Sequence, residues 1–114
     1  MDEMRVLRLA GRTIRVDARG YLIDPADWDE SLASTMAGDD GIRLTDAHWQ
    51  VLRLLRDHFH QHGRSPAMRH LVKLVASELG HERADSRMLY RLFPQGPAKQ
   101  AARYAGLPRP TSCI

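Results

Sequence analysis

The sequence predicts a mainly α (α+β) fold. The expected architecture is a small orthogonal helical bundle with a helix-turn-helix-like pair, an N-terminal β-hairpin and an extended C-terminal arm. Apolar residues recur at spacings of three and four through most of positions 24–105, which is typical of helices packed on one core. Near the N-terminus the pattern is instead alternating, and the last residues are rich in proline. A chain of 114 residues supports one modest core. We therefore expect one domain, divided into a hairpin region (1–23), a helical bundle (24–105) and a C-terminal arm (106–114).

The hairpin prediction depends on two short strands that flank a glycine. Apolar and polar residues alternate from Thr13 to Asp17, so that Ile14 and Val16 share one face. Val6, Leu7 and Leu9 supply the preceding strand. Gly11 lies between the two strands and can adopt the positive φ that a tight turn requires.

The first two helices are predicted from capping residues and apolar spacing. Asp24 can accept hydrogen bonds from free N–H groups, and Pro25 fits the first helical position, so we expect a helix to about Met36. Thr45 caps the longest helix, which should end at His62 before a glycine. The residues expected to face inward are Trp28, Leu32 and Met36 in the first helix and Trp49, Leu52, Leu55 and Phe59 in the second.

Three further helices follow. Ser65 and Pro66 repeat the cap-and-proline pattern, which predicts a third helix to Leu79. A fourth helix is expected at 84–93 and a last short helix at 98–105, with the intervening Gly96-Pro97 directing the chain toward the arm. The residues expected to face inward are Met68, Leu71, Val72, Val75, Leu79, Met88, Leu89, Leu92 and Phe93.

The composition excludes several classes of protein. A single cysteine excludes an intramolecular disulfide framework and any multi-cysteine zinc or iron–sulfur site within one chain. No apolar run approaches the roughly 20 residues of a membrane span, and the N-terminus lacks the pattern of a signal peptide. The expected location is therefore the cytoplasm, where a lone thiol stays reduced. No cofactor is expected.

Charge is divided unevenly along the chain. Residues 1–40 carry nine acidic residues against five arginines, whereas residues 41–114 carry twelve basic residues against five acidic ones. The basic C-terminal part is suited to an anionic partner, such as a nucleic acid or an acidic protein surface. It is equally compatible with a solvated helix face, and the sequence leaves this choice open.

Arginines at every fourth position mark one candidate nucleic-acid or partner face. Arg83, Arg87 and Arg91 line one side of the fourth helix, which follows the third in a helix-turn-helix pattern. Such a face can contact phosphates, although the helix lacks Asn or Gln at positions that would read bases. Ordinary solvation of an arginine stripe remains the alternative.

Histidines crowd the end of the second helix. His58 and His62 are four residues apart and share a face, as two metal ligands would. No third ligand follows at a telling spacing, and a helix C-terminus favours imidazolium without any metal. We therefore predict no metal site, and we expect the isolated His48, His70 and His81 at the surface.

The thiol of Cys113 is the next-to-last residue, which is unusual because free cysteines are most often in cores. From Gly106 to Cys113 an extended arm spans about 25 Å, enough to enter a partner's site. Cations at Arg109, Lys99 and Arg103 would favour the nucleophilic thiolate. The alternative is an incidental terminal cysteine.

Two segments near the C-terminus resemble the signature of the DsrC/TusE family. They are Leu92–Lys99 (LFPQGPAK) and Ala105–Ile114 (AGLPRPTSCI), and both are dense in glycine and proline. The family pattern places a cysteine next to last, as here. The hairpin, Gly20-Tyr21-Leu22, the segment around Trp28, Thr45–His48 and Arg64-Ser65-Pro66 also resemble family positions, so the likeness covers nearly the whole chain.

The resemblance implies a function. Members of this family are sulfur carriers in which the penultimate cysteine, here Cys113, holds sulfur as a persulfide. The DsrC branch has a second cysteine eleven residues upstream, where this sequence has Ala102. The resemblance therefore favours the single-cysteine TusE-type role, in which a relay protein, rather than a stand-alone enzyme, carries sulfur for the wobble uridine of tRNA. The implied partners are a TusBCD-like donor complex and a tRNA 2-thiouridylase, with tRNA contacted indirectly if at all, and no membrane.

The resemblance also assigns roles around the thiol. Arg109 and Lys99 match basic family positions and are expected to stabilise the persulfide anion or to dock the arm. Gly106, Pro108 and Pro110 are expected to set the shape of the arm. A helix-turn-helix nucleic-acid-binding module and a regulatory relative of DsrC remain the alternatives.

Overall fold

The computed structural model describes residues 5–9, 11–80 and 85–110, and for Leu9 it describes only the backbone. The strands are β1 (Arg5–Leu9) and β2 (Arg12–Val16), and a short 3-10 turn follows at Pro25–Asp27. The helices are α1 (Glu30–Asp39), α2 (Asp46–His62), α3 (Met68–Leu79), α4 (Ser86–Leu92) and α5 (Pro97–Tyr104). The prediction of a mainly helical fold with an N-terminal hairpin is confirmed. No helix in the described ranges is long and apolar enough to cross a membrane.

Strands β1 and β2 pair as an antiparallel hairpin, with Leu7 opposite Ile14. Gly11 occupies the turn at φ +80°, which is a left-handed conformation that glycine adopts without strain. Ile14 and Val16 are buried, as their alternation predicts, because side chains in a strand point to opposite faces in turn. The hairpin thus closes one side of the helical core.

The first predicted helix is divided in two, so its expected start at Asp24 and end at Met36 are wrong. Asp24 accepts a hydrogen bond from the Ala26 N–H and caps only the 3-10 turn. Helix α1 begins at Glu30 instead, because Asp29 is extended and its carboxylate accepts from the Leu32 N–H at 2.8 Å. Trp28 consequently lies in extended chain between the turn and the helix.

Helix α2 has the predicted bounds, but the expectation that His48 lies at the surface is wrong. His48 is buried at the third position of the helix, where its Nδ1 accepts the backbone N–H of Thr45 at 3.0 Å. The opposite ring nitrogen contacts the Leu92 carbonyl oxygen at 2.8 Å. Of the residues expected to face inward, Leu52 and Leu55 are buried while Trp49 and Phe59 are only partly buried.

The start predicted for the third helix at Ser65 is also wrong. Helix α3 begins at Met68 after Ala67, and no side chain caps it. Helix α4 begins at Ser86, where the Asp85 carboxylate accepts from the Met88 N–H. The predicted first residue of that helix, Ala84, lies outside the described residues.

Helix α5 is the centre of the bundle and packs against α1, α2, α3 and α4. Small side chains permit this close approach on several sides. The buried alanines of this helix and its end are Ala98, Ala101, Ala102 and Ala105. Because the C-terminal arm follows directly from α5, the arm begins at the middle of the core.

Candidate functional site

The only thiol of the chain, that of Cys113, lies outside the described residues, but its covalent attachment limits its position. Pro110 is the last described residue of the C-terminal arm and is buried. Three further residues allow at most about 10 Å between the Cα atoms of Pro110 and Cys113. The candidate site is therefore formed by the arm up to Pro110 and by the surface beside it.

The first half of the arm is held against the bundle, which corrects the expectation of a free arm from Gly106 onward. Gly106 has φ +71°, and its N–H donates to the Arg103 carbonyl at 3.2 Å. The Leu107 N–H donates to the Ala102 carbonyl at 3.0 Å, and the Leu107 side chain is buried. This pairing ends α5 as a left-handed glycine cap does. The arm cannot extend from Gly106, so the reach of about 25 Å that the sequence predicts for Cys113 is too long.

Three side chains hold this segment in place. The Trp28 Nε1–H donates to the Tyr104 carbonyl at 2.8 Å, and the Arg56 guanidinium donates to the Ala105 carbonyl at 2.8 Å. The Arg56 Cζ also lies 3.8 Å from the centroid of the Trp28 ring. The Ser65 hydroxyl donates to the Pro108 carbonyl at 2.5 Å. We call Trp28, Arg56 and Ser65 the arm clasp.

Sequence reasoning missed the arm clasp. The sequence predicts Trp28 in a helix and Ser65 as a helix cap, and it indicates no particular role for Arg56. No local signal could assign these roles, because each depends on a carbonyl group more than 40 residues away in the chain. Desolvation by burial lowers the pKa of Arg56, which agrees with a guanidinium enclosed between an indole and the backbone.

A basic cavity of about 350 Å³ opens beside the arm. Four cations line it, and three of them, Lys99, Arg103 and Arg109, are the basic residues that the sequence places near the thiol. The full lining is Arg19, Tyr21, Gln95, Lys99, Gln100, Arg103 and Arg109. No acidic residue is among them, so the cavity is suited to an anion.

The wall of the basic cavity is a hydrogen-bonded network around Asp40. The Asp40 carboxylate pairs with Arg103 and accepts the Tyr104 hydroxyl at 2.5 Å. Gln100 donates to the Tyr104 oxygen at 2.9 Å and accepts the Gln95 N–H at 2.7 Å. Burial, reinforced by the bond to Asp40, raises the pKa of Tyr104 to about 12. Because its carboxylate pairs with the Arg103 guanidinium, Asp40 neutralises the charge of Arg103.

The remaining cations of the basic cavity have no acidic partner among the described residues. They come from three different parts of the fold: Arg19 follows the hairpin, Lys99 lies in α5 and Arg109 lies in the arm. The Tyr21 hydroxyl donates to the Lys99 carbonyl at 3.2 Å and so fixes the turn that carries Arg19 against α5. Sequence reasoning missed Arg19 because 78 residues separate Tyr21 from Lys99.

The structure separates the other predicted features from this cavity. Arg87 and Arg91 are exposed on α4, with Arg87 Nε 3.6 Å from an Asp85 carboxylate oxygen, and Arg83 lies outside the described residues. Neither arginine lines the basic cavity. Exposed Tyr90 lies between them in the sequence.

The histidine pair at the end of α2 gains a third member. The His58 ring lies 4.4 Å from that of His62 and 4.7 Å from that of His70, centroid to centroid. His70 is exposed, as expected, and His81 lies outside the described residues. Within the described ranges, no group of three or more His, Cys, Asp or Glu side chains could hold a metal ion.

These features define a class of protein: a small helical domain whose cysteine-bearing arm is clasped at its root beside a basic cavity. A family model described as DsrC like protein matches residues 8–114, and the chain belongs to this family. The resemblance identified from the sequence is thereby confirmed.

Named relatives match almost end to end. Sulfurtransferase TusE of Pectobacterium atrosepticum is 50% identical over 109 residues, which are 96% of this chain and all of that protein. Sulfurtransferase TusE of Escherichia coli strain K12 is 48% identical over 109 residues, again 96% of this chain and all of that protein.

Solved structures share the fold. The NMR structure of Allochromatium vinosum DsrC has a TM-score of 0.89 at 42% identity, and covers 98% of this chain and 100% of its own. The crystal structure of the oxidized gamma-subunit of the dissimilatory sulfite reductase (DsrC) from Archaeoglobus fulgidus has a TM-score of 0.84 at 42% identity, with coverage of 96% and 100%.

Proposed function

We propose that this protein is a cytoplasmic sulfur carrier that holds sulfane sulfur as a persulfide on Cys113 and passes it on for tRNA wobble 2-thiouridine synthesis. One observation carries the proposal. The chain matches proteins named Sulfurtransferase TusE over their full length, at about half identical residues, and its sole cysteine is next to last. The proposed donor is a TusBCD-like complex, and the proposed acceptor is a tRNA 2-thiouridylase.

The proposed chemistry is thiol–persulfide exchange. The Cys113 thiolate attacks the outer sulfur of a donor persulfide, so that the donor leaves as a thiolate and Cys113 carries the S–SH group. A thiolate of the acceptor then attacks that outer sulfur, becomes the persulfide itself and releases the Cys113 thiolate. Each transfer breaks one S–S bond and forms another, and no external oxidant or reductant is consumed.

The basic cavity supports this chemistry electrostatically. Arg109 is four residues before Cys113, so their Cα atoms lie within about 14 Å of each other in any conformation. A cation about 10 Å away stabilises a thiolate or persulfide anion by about 0.4 kcal/mol in water. Three such cations, Arg19, Lys99 and Arg109, would contribute about 1 kcal/mol if each lay at that distance, most strongly at low salt.

The absence of a second cysteine limits the protein to passing sulfur on. Ala102, eleven residues before Cys113, is completely buried and carries no thiol. The chain therefore cannot close an intramolecular disulfide, and a two-thiol redox cycle is not available to it. Exchange at one thiol needs no such partner.

Loading of Cys113 tests the proposal directly. After incubation with inorganic polysulfide or a protein persulfide donor, intact-mass spectrometry should show a gain of about 32 Da, the mass of one sulfur atom. Cys113→Ser should show none. An unmodified wild-type protein, with an active donor present, would refute the carrier role.

Charge-deletion variants test the role of the basic cavity. Arg19→Ala/Lys99→Ala removes two cations and should slow loading about two- to fourfold at low salt. The matched control is Arg53→Ala/Lys73→Ala, which removes two exposed cations that do not line the cavity. Equal slowing in both variants would mean that net charge, rather than this cavity, matters.

The acceptor is tested in cells. A strain that lacks the protein should lose 2-thiouridine from its tRNA, as measured by mass spectrometry of nucleosides, and wild type but not Cys113→Ser should restore it. Restoration by Cys113→Ser would indicate a regulatory role instead. Restoration that fails on Arg87→Ala/Arg91→Ala would favour the nucleic-acid-binding alternative.

A further inference from the structure

The root of the arm is more firmly held than its sequence suggests. Between Tyr104 and Pro108, three backbone carbonyls accept hydrogen bonds from side chains of the arm clasp. A loop of glycine and proline residues ordinarily leaves such carbonyls to water. Here they are satisfied from three separate places in the fold: the chain before α1, helix α2 and the chain before α3.

Trp28 and Gly106 fit together without spare room. A Cβ atom built on Gly106 would lie 2.4 Å from Cδ1 and 2.6 Å from Cγ of Trp28. The indole therefore occupies the space of the missing side chain, which is a reason for glycine here beyond its positive φ. The Trp28 N–H also donates to the Tyr104 carbonyl. The indole is therefore fixed both by its packing against Gly106 and by this hydrogen bond.

Arg56 covers one face of the indole. Its guanidinium stacks on Trp28 and donates to the Ala105 carbonyl, so one side chain joins α2, the tryptophan and the arm. Arg53, three residues earlier on the same helix, is exposed. The contact is thus particular to Arg56.

We infer that Trp28, Arg56 and Ser65 are positioning residues that hold the arm root at one exit point on the rim of the basic cavity, and so set the volume that the thiol of Cys113 can search. This inference rests on the proposed function. With the clasp closed, only residues 111–113 lie between the held segment and the thiol; with it open, residues 106–113 do. Lengthening the tether between the held backbone and the thiol from three to eight residues would lower the effective concentration of the thiol at a docked acceptor about fourfold.

Transfer kinetics with two acceptors test the inference. At high salt, which screens the cations of the basic cavity, the double variant Arg56→Ala/Ser65→Ala should load from inorganic polysulfide and pass sulfur to dithiothreitol at the wild-type rates. With a tRNA 2-thiouridylase as protein acceptor, kcat and kcat/KM should both fall about fourfold, because the transfer step within the docked complex slows while KM stays unchanged. The matched control, Arg53→Ala/Ser31→Ala, removes the same residue types from exposed positions and should behave as wild type.

Two measurements separate positioning from general damage. Hydrogen exchange of the Leu107 amide, which bonds the Ala102 carbonyl, should accelerate in the double variant but not in the control. Arg56→Lys keeps a cationic donor and should recover part of the loss in kcat/KM. If the double variant fails to fold, Ser65→Ala alone, which removes one hydroxyl, should shift kcat/KM in the same direction.

Distinct results overturn the inference and the proposed function. A wild-type protein that never loads sulfur contradicts the function itself. A wild type that loads and transfers, together with a clasp variant that matches it on the protein acceptor, contradicts only the positioning role. An equal loss with dithiothreitol would place the defect at the thiol rather than at the arm root.

Discussion

Replacing Gly106 by alanine should destabilise the fold much more than its size suggests. The backbone at φ +71° costs a residue with a Cβ about 1–2 kcal/mol. The new methyl group would lie 2.4 Å from Trp28 Cδ1, so the indole must move. Displacing it sacrifices the hydrogen bond to Tyr104, about 0.5–1.5 kcal/mol, and the stacking of Arg56, about 0.5–2 kcal/mol. We expect a total loss of about 2–5 kcal/mol.

The assay is equilibrium unfolding in urea, with Gly41→Ala as the control. Gly41 has φ +76°, but nothing lies within 4 Å of a Cβ built there, so it carries only the backbone cost. The unfolding midpoint of Gly106→Ala should lie about 1 M or more below that of Gly41→Ala, with similar slopes. Equal midpoints for the two variants would refute the argument that Trp28 fills the space beside Gly106.

Two predictions concern the pH dependence of stability. Burial lowers the pKa of His58, with smaller contributions from His62, His70 and Arg64, so the free energy of unfolding should decline as pH falls through about 6.5. His58→Gln should flatten this decline in urea titrations between about pH 7 and 5, and an unchanged slope would contradict it. At the alkaline end, a Tyr104 pKa of about 12 means that the unfolded chain loses this proton first, so stability should fall as pH rises above about 10. Tyr104→Phe should reduce that fall in the same assay. A slope equal to that of wild type would contradict the raised pKa of Tyr104.

Local sequence signals predicted elements well where one signal had no competitor. Helix α2 has the predicted ends because Thr45 and the glycine after His62 are unopposed cap signals. The predicted start of α1 is wrong because Asp24 and Asp29 are both good caps. Only a tertiary contact, the hydrogen bond from Trp28 to the Tyr104 carbonyl, requires extended chain at Trp28 and so moves the start to Glu30. His48 was misplaced for a similar reason, since its bond to the Leu92 carbonyl crosses 44 residues.

The residues of the candidate site also fall into those that the sequence predicts and those that it does not. Lys99 and Arg109 could be named from the sequence because they lie in a dense motif close to the cysteine. Arg19 could not, because the turn after the hairpin and α5 meet only after the bundle has packed. The charge tally of residues 1–40 also concealed Arg19, since it averaged a basic hairpin with an acidic segment that follows it.

The sequence by itself determined the class of fold, the family and the chemistry available to the chain. One cysteine, next to last, with alanine at position 102, permits exchange at a single thiol and excludes an intramolecular pair. These are properties of residue identity and spacing along the chain. Only the tertiary structure decided how much of the arm is held and which cations stand beside it. Both depend on contacts between residues more than 40 positions apart, and local pattern carries no information about such contacts.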